Sequence, residues 1–261
     1  MITIHNELLQ YKGNFKSNHK KRIRPDTDLE TEKNADLTIP GMEINDTNEF
    51  ITGKVGYAVG VKALRHGFIN IIQEWTDSHF TGRLMKLVTK IYMMDKKGIT
   101  GKKSIFFSNY THHLENIRFN IRENNIEILR YQFLVSHSLS RVCAKLDVKE
   151  LIIKPMLIPR GATHYRILHH LSIVSDYKYS ELNQRFEPLS INNALNAFAF
   201  SEYIAVGTNP TDDIEVSLPI KSDLSESDSV IQCIGIMYYI KSGEVDYVVM
   251  RGGGLEVMEV F

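Results

Sequence analysis

One tryptophan, two cysteines and a net charge of zero leave several classes of protein with little support in this 261-residue sequence. Cys143 and Cys233 are too few for a disulfide framework and have no metal-ligand spacing. Each sits in an apolar, β-rich run, which reads as a buried free thiol. No apolar run approaches the roughly 20 residues that a membrane helix needs. The opening MITIHNELLQYKGNFKSNHKKRIR has no apolar segment after a basic one, so no signal peptide is expected. The default location is then cytoplasmic, or extracellular or particle-associated if the chain assembles. With 31 basic against 31 acidic residues, no global field favours nucleic acid or acidic lipid. Nucleophile elbow, Walker loop, His-Glu-x-x-His and Rossmann glycine patterns are all missing, as are repeats and low-complexity tracts.

What is present is ordinary globular material, 43% hydrophobic and 24% charged, enough for a sizeable core. Its charge is unevenly spread. Lys12, Lys16, Lys20, Lys21, Arg22 and Arg24 make the first segment basic, and Asp26 to Glu49 is acidic. Residues 54–103 are basic again, and the last quarter is acidic. Opposite signs at opposite ends fit internal pairing, head-to-tail attraction between copies, or solvated faces with no partner. Residues 1–45 combine low hydrophobicity with Pro25, Pro40 and Gly41, and read as an extended arm that cannot build its own core.

From residue 48 the apolar period becomes helical. Tyr57, Val61, Leu64, Phe68, Ile71 and Trp75 recur every three or four positions. Gly53, Gly56, Gly60, Ala63 and Gly67 follow the same spacing on an adjacent face. Each interior glycine costs roughly 1 kcal/mol of helix stability against alanine, so the stripe predicts close approach by another element's backbone. Lys54, Lys62, Arg65 and His66 rule out a spanning helix. A second helix, capped by Thr76, Asp77 or Ser78, carries Leu84, Leu87, Val88, Ile91 and Met94 on one face and ends at KKGITGKK. Beyond residue 104 the period is two: strands are expected at 117–123, 126–136, 141–148, 151–158, 164–175, 197–206, 213–220, 230–240, 244–250 and 255–261. Ser242-Gly243 is the clearest hairpin turn, and Gly252-Gly253-Gly254 reads as another turn.

Chemistry is sparse. RGATHYRILHHLSIVSDYKYS holds three histidines. In a strand, His164 and His170 share a face about 20 Å apart, far beyond the roughly 2.0–2.1 Å at which zinc binds nitrogen. His169 falls among Tyr165, Ile167, Leu171 and Ile173, as a hydrogen-bonded core histidine; His164 and His170 join Arg166 and Ser172 on the polar face. His112-His113 would diverge in an extended segment. Asp212-Asp213 and the run at 222–229 hold oxygen ligands for calcium without EF-hand spacing, and an acidic solvated loop is the plainer reading.

Three stretches resemble a family of small, uncharacterised bacterial proteins. They are EFITGKVGYAVGVKALRHGFINIIQEWTDSHFTGRLMKLV with its small-residue stripe, Asp77-Ser78 and Arg83-Leu84; IPRGATHYRI with Gly161-Ala162-Thr163-His164; and the terminal hairpin IGIMYYIKSGEVDYVV. The resemblance spans roughly residues 45–261 and implies the same two-part layout. It carries no assigned activity, and the arm departs from it.

The expected fold is mainly β with an N-terminal helical hairpin (α+β): an arm over 1–45, a hairpin over 46–103 and an antiparallel β-sandwich over 104–261. The expected function is that of a non-enzymatic structural protein, self-assembling into a homo-oligomer or filament through its arm. Ile2, Ile4, Leu8, Leu9, Tyr11 and Phe15 of the arm and Gly56, Gly60 and Ala63 of the stripe form the expected assembly interface. Its partners are copies of itself; no cofactor, metal, nucleic acid or membrane span is expected. The alternative is a β-sandwich module that binds a glycan or partner protein, with Tyr177, Tyr179, Tyr238 and Tyr239 as stacking surfaces. An enzyme would have to use His164, Arg166 and His170.

Overall fold

The computed structural model describes residues 46–99, 101–122, 133–149, 151–153, 158–244 and 246–261, with side chains of the first helix from residue 56 onward. The arm over 1–45 lies outside them, as do 126–132 and 154–157 of two expected strands. Among the described residues three α-helices come first: α1 (Asp46–Gly67), α2 (Ile72–Trp75) and α3 (Phe80–Met94). Ten strands follow among the described residues: β1 (Leu134–His137), β2 (Cys143–Asp147), β3 (His164–Ser175), β4 (Tyr177–Ser180), β5 (Arg185–Pro188), β6 (Asn196–Phe200), β7 (Ile204–Ala205), β8 (Ile214–Ser217), β9 (Asp228–Ser242) and β10 (Asp246–Val260).

The main sheet has the antiparallel order β10-β9-β3-β6, with β7 also paired to β3. A smaller sheet runs β1-β2-β8, and β4 and β5 form a two-stranded ribbon. Alternation along β3 decides the layering. Tyr165 and Ile167 pack in one core with Leu146 and Ile214 of the smaller sheet, and Leu171 and Ile173 pack with Ala144 and Val216. Leu168 and Val174 face the opposite way, into the core that holds Leu64, Phe68, Trp75, Leu84 and Val88 of the helices. The main sheet is therefore covered by the smaller sheet on one face and by helices on the other. Helices and sheet share that core, and fully burying a side chain such as Phe68 or Leu84 stabilises by about 1.5–3 kcal/mol.

The glycine stripe is used inside the chain. A Cβ on Gly60 would lie 2.5 Å from Val88 Cγ1 and 3.3 Å from both Ile105 Cδ1 and Phe107 Cζ. A Cβ on Gly56 would run into the Tyr92 ring, and one on Gly67 would stand 3.2 Å from Ser172 Cβ and Oγ. The close approach is to side chains of α3 and β3 rather than to backbone. Gly235 serves the same purpose in β9, leaving room for the Trp75 indole, 2.9 Å from where its Cβ would be.

Several expectations change: 117–122 makes only an isolated bridge, Arg118 to Glu256, in place of a strand, and 197–206 is broken into β6 and β7. EVDYVVM and LEVMEVF belong to one strand, β10, which runs through the three glycines. Its register against β9 shifts between Met250 and Gly254, Gly252 has φ of 109°, and a Cβ on Gly253 would overlap the Ile236 carbonyl oxygen. The triplet is thus a bulge, where backbone meets backbone. The β4–β5 ribbon was not expected, and Gln184 in its turn has φ of 49°. His112 and His113 lie in a 3₁₀ segment, Ser108–His113, with ring centroids 4.0 Å apart instead of diverging. Finally, α3 has His79 rather than residues 76–78 at its N-cap; the Asp77 carboxylate accepts the His79 N–H at 2.8 Å.

Candidate functional site

Strand pairing gathers a group of aromatic and cationic side chains at one end of the main sheet. His164 opposes Tyr239, Tyr239 opposes Val249, and Lys241 opposes Tyr247. Strand β6 delivers Phe200, and the link to β7 delivers Tyr203. Tyr203 and Tyr247 stack face to face, with centroids 3.7 Å apart and planes 7° apart. Tyr239 meets the Tyr203 ring edge-on at 5.0 Å, and His164 meets Tyr247 edge-on at 5.1 Å.

Arg166 is the centre of this group. Its guanidinium carbon lies 4.6 Å from the Phe200 centroid and 4.8 Å from that of Tyr203. Its Nε donates to the Ser201 carbonyl at 2.7 Å, which fixes the guanidinium plane. No carboxylate among the described residues lies in ion-pair range of it. Lys241 adds a second cation, 5.8 Å from the Tyr247 centroid. Tyr203 is 37% exposed and Arg166 is half-buried, whereas Tyr239 is buried, and burial pushes its hydroxyl up to about 12. Stacked rings, a fixed guanidinium and an exposed edge make a rigid surface that can hold a flat or apolar ring beside an acceptor oxygen.

The joint beneath it is built by Gly161-Ala162-Thr163-His164. Gly161 turns the chain with φ of 93°. Thr163 donates its N–H to the Tyr239 carbonyl at 2.9 Å, its Oγ1 accepts the Lys241 N–H at 2.7 Å, and its carbonyl accepts the Val206 N–H at 2.9 Å. One threonine thus ties β3, β9 and the end of β7 together under the aromatic group.

The other histidines have different surroundings. His169 is buried, with Nδ1 2.9 Å from the Ile214 carbonyl and Nε2 2.8 Å from Gln232 Nε2. A carbonyl only accepts and an amide nitrogen only donates, so the neutral Nδ1–H tautomer satisfies both bonds. Burial lowers its pKa to about 4, against the raising effect of the Ile214 carbonyl. This is the core histidine expected. His170 differs from expectation: it is fully buried against Phe68 beneath α1, not on an open polar face. Burial, then the neighbouring His169, lowers it to about 3, and the Gly67 carbonyl only partly opposes this. A side chain so enclosed cannot join His164 and Arg166 in surface chemistry.

Tyr177, Tyr238 and Tyr239 are buried, and Tyr179 packs edge-on against Phe186 at 5.4 Å, so the four tyrosines chosen from sequence do not form one stacking surface. Tyr239 alone joins the aromatic group. Gly56, Gly60 and Ala63 are covered by the chain's own elements, and Ile2, Ile4, Leu8, Leu9, Tyr11 and Phe15 lie outside the described residues. Asp77 and Arg83, both in the resembling helical stretch, form a two-oxygen ion pair at 2.8 and 3.0 Å. Arg83 also donates to the carbonyls of Arg118 and Phe119, each at 2.9 Å. Burial works against the Asp77 charge, but the Arg83 bonds and the N–H groups of Ile121 and His79 outweigh it and hold the carboxyl at about 2. That pair fastens α3 to the segment crossing β10.

Cys233 is buried, and Cys143 is half-buried with its Sγ 3.0 Å from Glu215 Oε1. Asp213 is neutralised by Lys145 and Lys149 at 2.6 and 3.1 Å, beside a 300 Å³ cleft between the end of β6 and the approach to β8. Among the described residues no three His, Cys, Asp or Glu side chains are grouped to hold a metal ion, and no helix is long and apolar enough to cross a membrane. The comparisons name no relative for this arrangement: no protein-family model, curated protein or solved structure matches the chain.

Proposed function

We propose that this chain is a non-enzymatic binding module whose ligand, a glycan or a segment of a partner protein, docks on the Arg166–Tyr203–Tyr247 surface. The observation that carries the reading is the guanidinium fixed over two aromatic rings, with no carboxylate partner among the described residues. A guanidinium held this way is already positioned, so little freedom is lost when a ligand oxygen reaches it. Kinship with the small bacterial family belongs to the same proposal and rests on the three resembling stretches of sequence. The test is a panel of immobilised glycans probed with the full chain and with Tyr203→Ala. Retention of the full chain on at least one glycan, and its loss in a variant with unchanged circular dichroism, is the expected result. Equal retention of both proteins counts against this surface.

A second reading, self-assembly through the arm, is favoured by the apolar tip of the β9–β10 hairpin. Ile240 and Val248 face each other across the ladder at 39% and 56% exposure, and Val249 is 58% exposed. Light scattering of the full chain and of a variant lacking residues 1–24 separates the two readings. A large species that collapses to a folded monomer on truncation supports assembly; a full-length monomer at every concentration removes it.

A further inference from the structure

Resting on the binding reading, we infer that the ligand is acidic: a sugar carrying an oxyanion, carboxylate or phosphate, which Arg166 receives while the ring lies on the aromatic surface. Three observations carry this further than stacking alone. The cations of the surface, Arg166 and Lys241, both lie over aromatic rings and neither has an ion-pair partner among the described residues. Many lysines and arginines elsewhere also lack a carboxylate partner, but Arg166 is half-buried, with its guanidinium held over the Phe200 and Tyr203 rings. Arg166 spends its Nε on the Ser201 carbonyl and its guanidinium also meets the Tyr239 hydroxyl, so a ligand oxygen would be received on the remainder of the guanidinium edge. A planar guanidinium immobilised by stacking loses little further freedom when it takes an oxyanion.

The ring is assigned to a sugar because the Tyr203–Tyr247 stack is open along its edge and is not a closed apolar pocket. Tyr203 is 37% exposed and Tyr247 is half-buried. An open shelf of this kind suits a ring with one apolar face and one hydrated face.

The experiment is calorimetric titration of the full chain with oligogalacturonate, with a neutral galactose oligomer of the same length, and with a phosphorylated hexose. Oligogalacturonate or the phosphorylated hexose should bind, and which of them does so distinguishes carboxylate from phosphate. The neutral oligomer should bind at least about tenfold more weakly, and added salt should weaken the acidic ligand. Arg166→Gln should lose about 10–100-fold in affinity, the range of a charge-assisted hydrogen bond; Arg166→Lys should recover part of it. If Arg166→Gln fails to fold, Lys241→Gln and the salt dependence provide the same reading. Equal binding of neutral and acidic oligomers, abolished by Tyr203→Ala, overturns the acidic assignment and leaves the module standing. Binding of none of the three probes overturns the acidic assignment, and the glycan panel then decides the module.

Discussion

Placing alanine at Gly60 and at Gly82 performs one chemical change at two helical positions with opposite surroundings. At Gly82 of α3 nothing lies within 4 Å of the new methyl group, so only propensity acts. That substitution should stabilise by up to about 1 kcal/mol. At Gly60 the methyl group would stand 2.5 Å from Val88 Cγ1, with Ile105 Cδ1 and Phe107 Cζ 3.3 Å away on buried side chains. The same propensity gain is then set against overpacking of about 1–3 kcal/mol, for a net loss of up to about 2 kcal/mol. Gly60→Leu should lose more. Val88→Ala alone leaves a cavity and should cost about 2–3 kcal/mol. In the double variant the Gly60→Ala methyl occupies that cavity, so the two changes should cost about 1–3 kcal/mol less than their sum. Urea unfolding of the five variants gives every number. If Gly60→Ala raises stability as Gly82→Ala does, or the double variant is additive, α1 does not press on α3 as described.

Acid should unfold the protein through its two buried histidines. Their folded pKa values of about 4 and 3 lie below the ordinary 6.5, so the unfolded chain takes up protons first as pH falls. Their contribution is intact above pH 6.5, falls by about 1.4 kcal/mol per pH unit for each histidine, and stops changing near pH 4 and pH 3. His170→Phe should remove about half of that slope in unfolding titrations; an unchanged slope argues against a buried neutral His170. Arg83→Met removes the charged donor from the Asp77 carboxylate and from the Arg118 and Phe119 carbonyls, while the His79 and Ile121 N–H groups stay on Asp77, and should cost about 1.5–3 kcal/mol, read as a lowered midpoint in urea. Ala194 holds φ of 68°, so Ala194→Gly should raise Tm, gaining up to about 1 kcal/mol; a fall in Tm would mean its methyl group packs usefully.

Periodicity revealed most of the layering, since Val61, Leu64, Phe68 and Trp75 repeat as a helix and Tyr165 to Ile173 alternate as a strand. It misled at His170 and Ser172. Polar side chains on alternate positions normally face water, but here Gly67 lets α1 lie directly over Ser172 and encloses both. The glycine triplet has the local chemistry of a turn, and only the partner strand, through the Ile236 carbonyl, makes it a bulge. Of the candidate surface, His164 and Arg166 share a face of one strand and are legible together, and Tyr239 is legible only as one of four candidate stacking tyrosines. Tyr203, Tyr247 and Phe200 are not, because they come from separate segments with no shared spacing. Their meeting follows from the β6–β3–β9–β10 order, which alternation alone does not specify.

The most direct measurement of the binding claim is the Arg166 Nε–H signal in ¹⁵N-edited NMR during titration with oligogalacturonate. Nε donates that proton to the Ser201 carbonyl oxygen, 2.7 Å from the nitrogen, which should protect it from exchange enough to be seen in the free protein. The account predicts a saturable shift of this signal, in step with shifts of the Tyr203 and Tyr247 rings and absent in Tyr203→Ala. Saturable shifts confined to another surface, or an Arg166 signal that does not move at any ligand concentration, would contradict it.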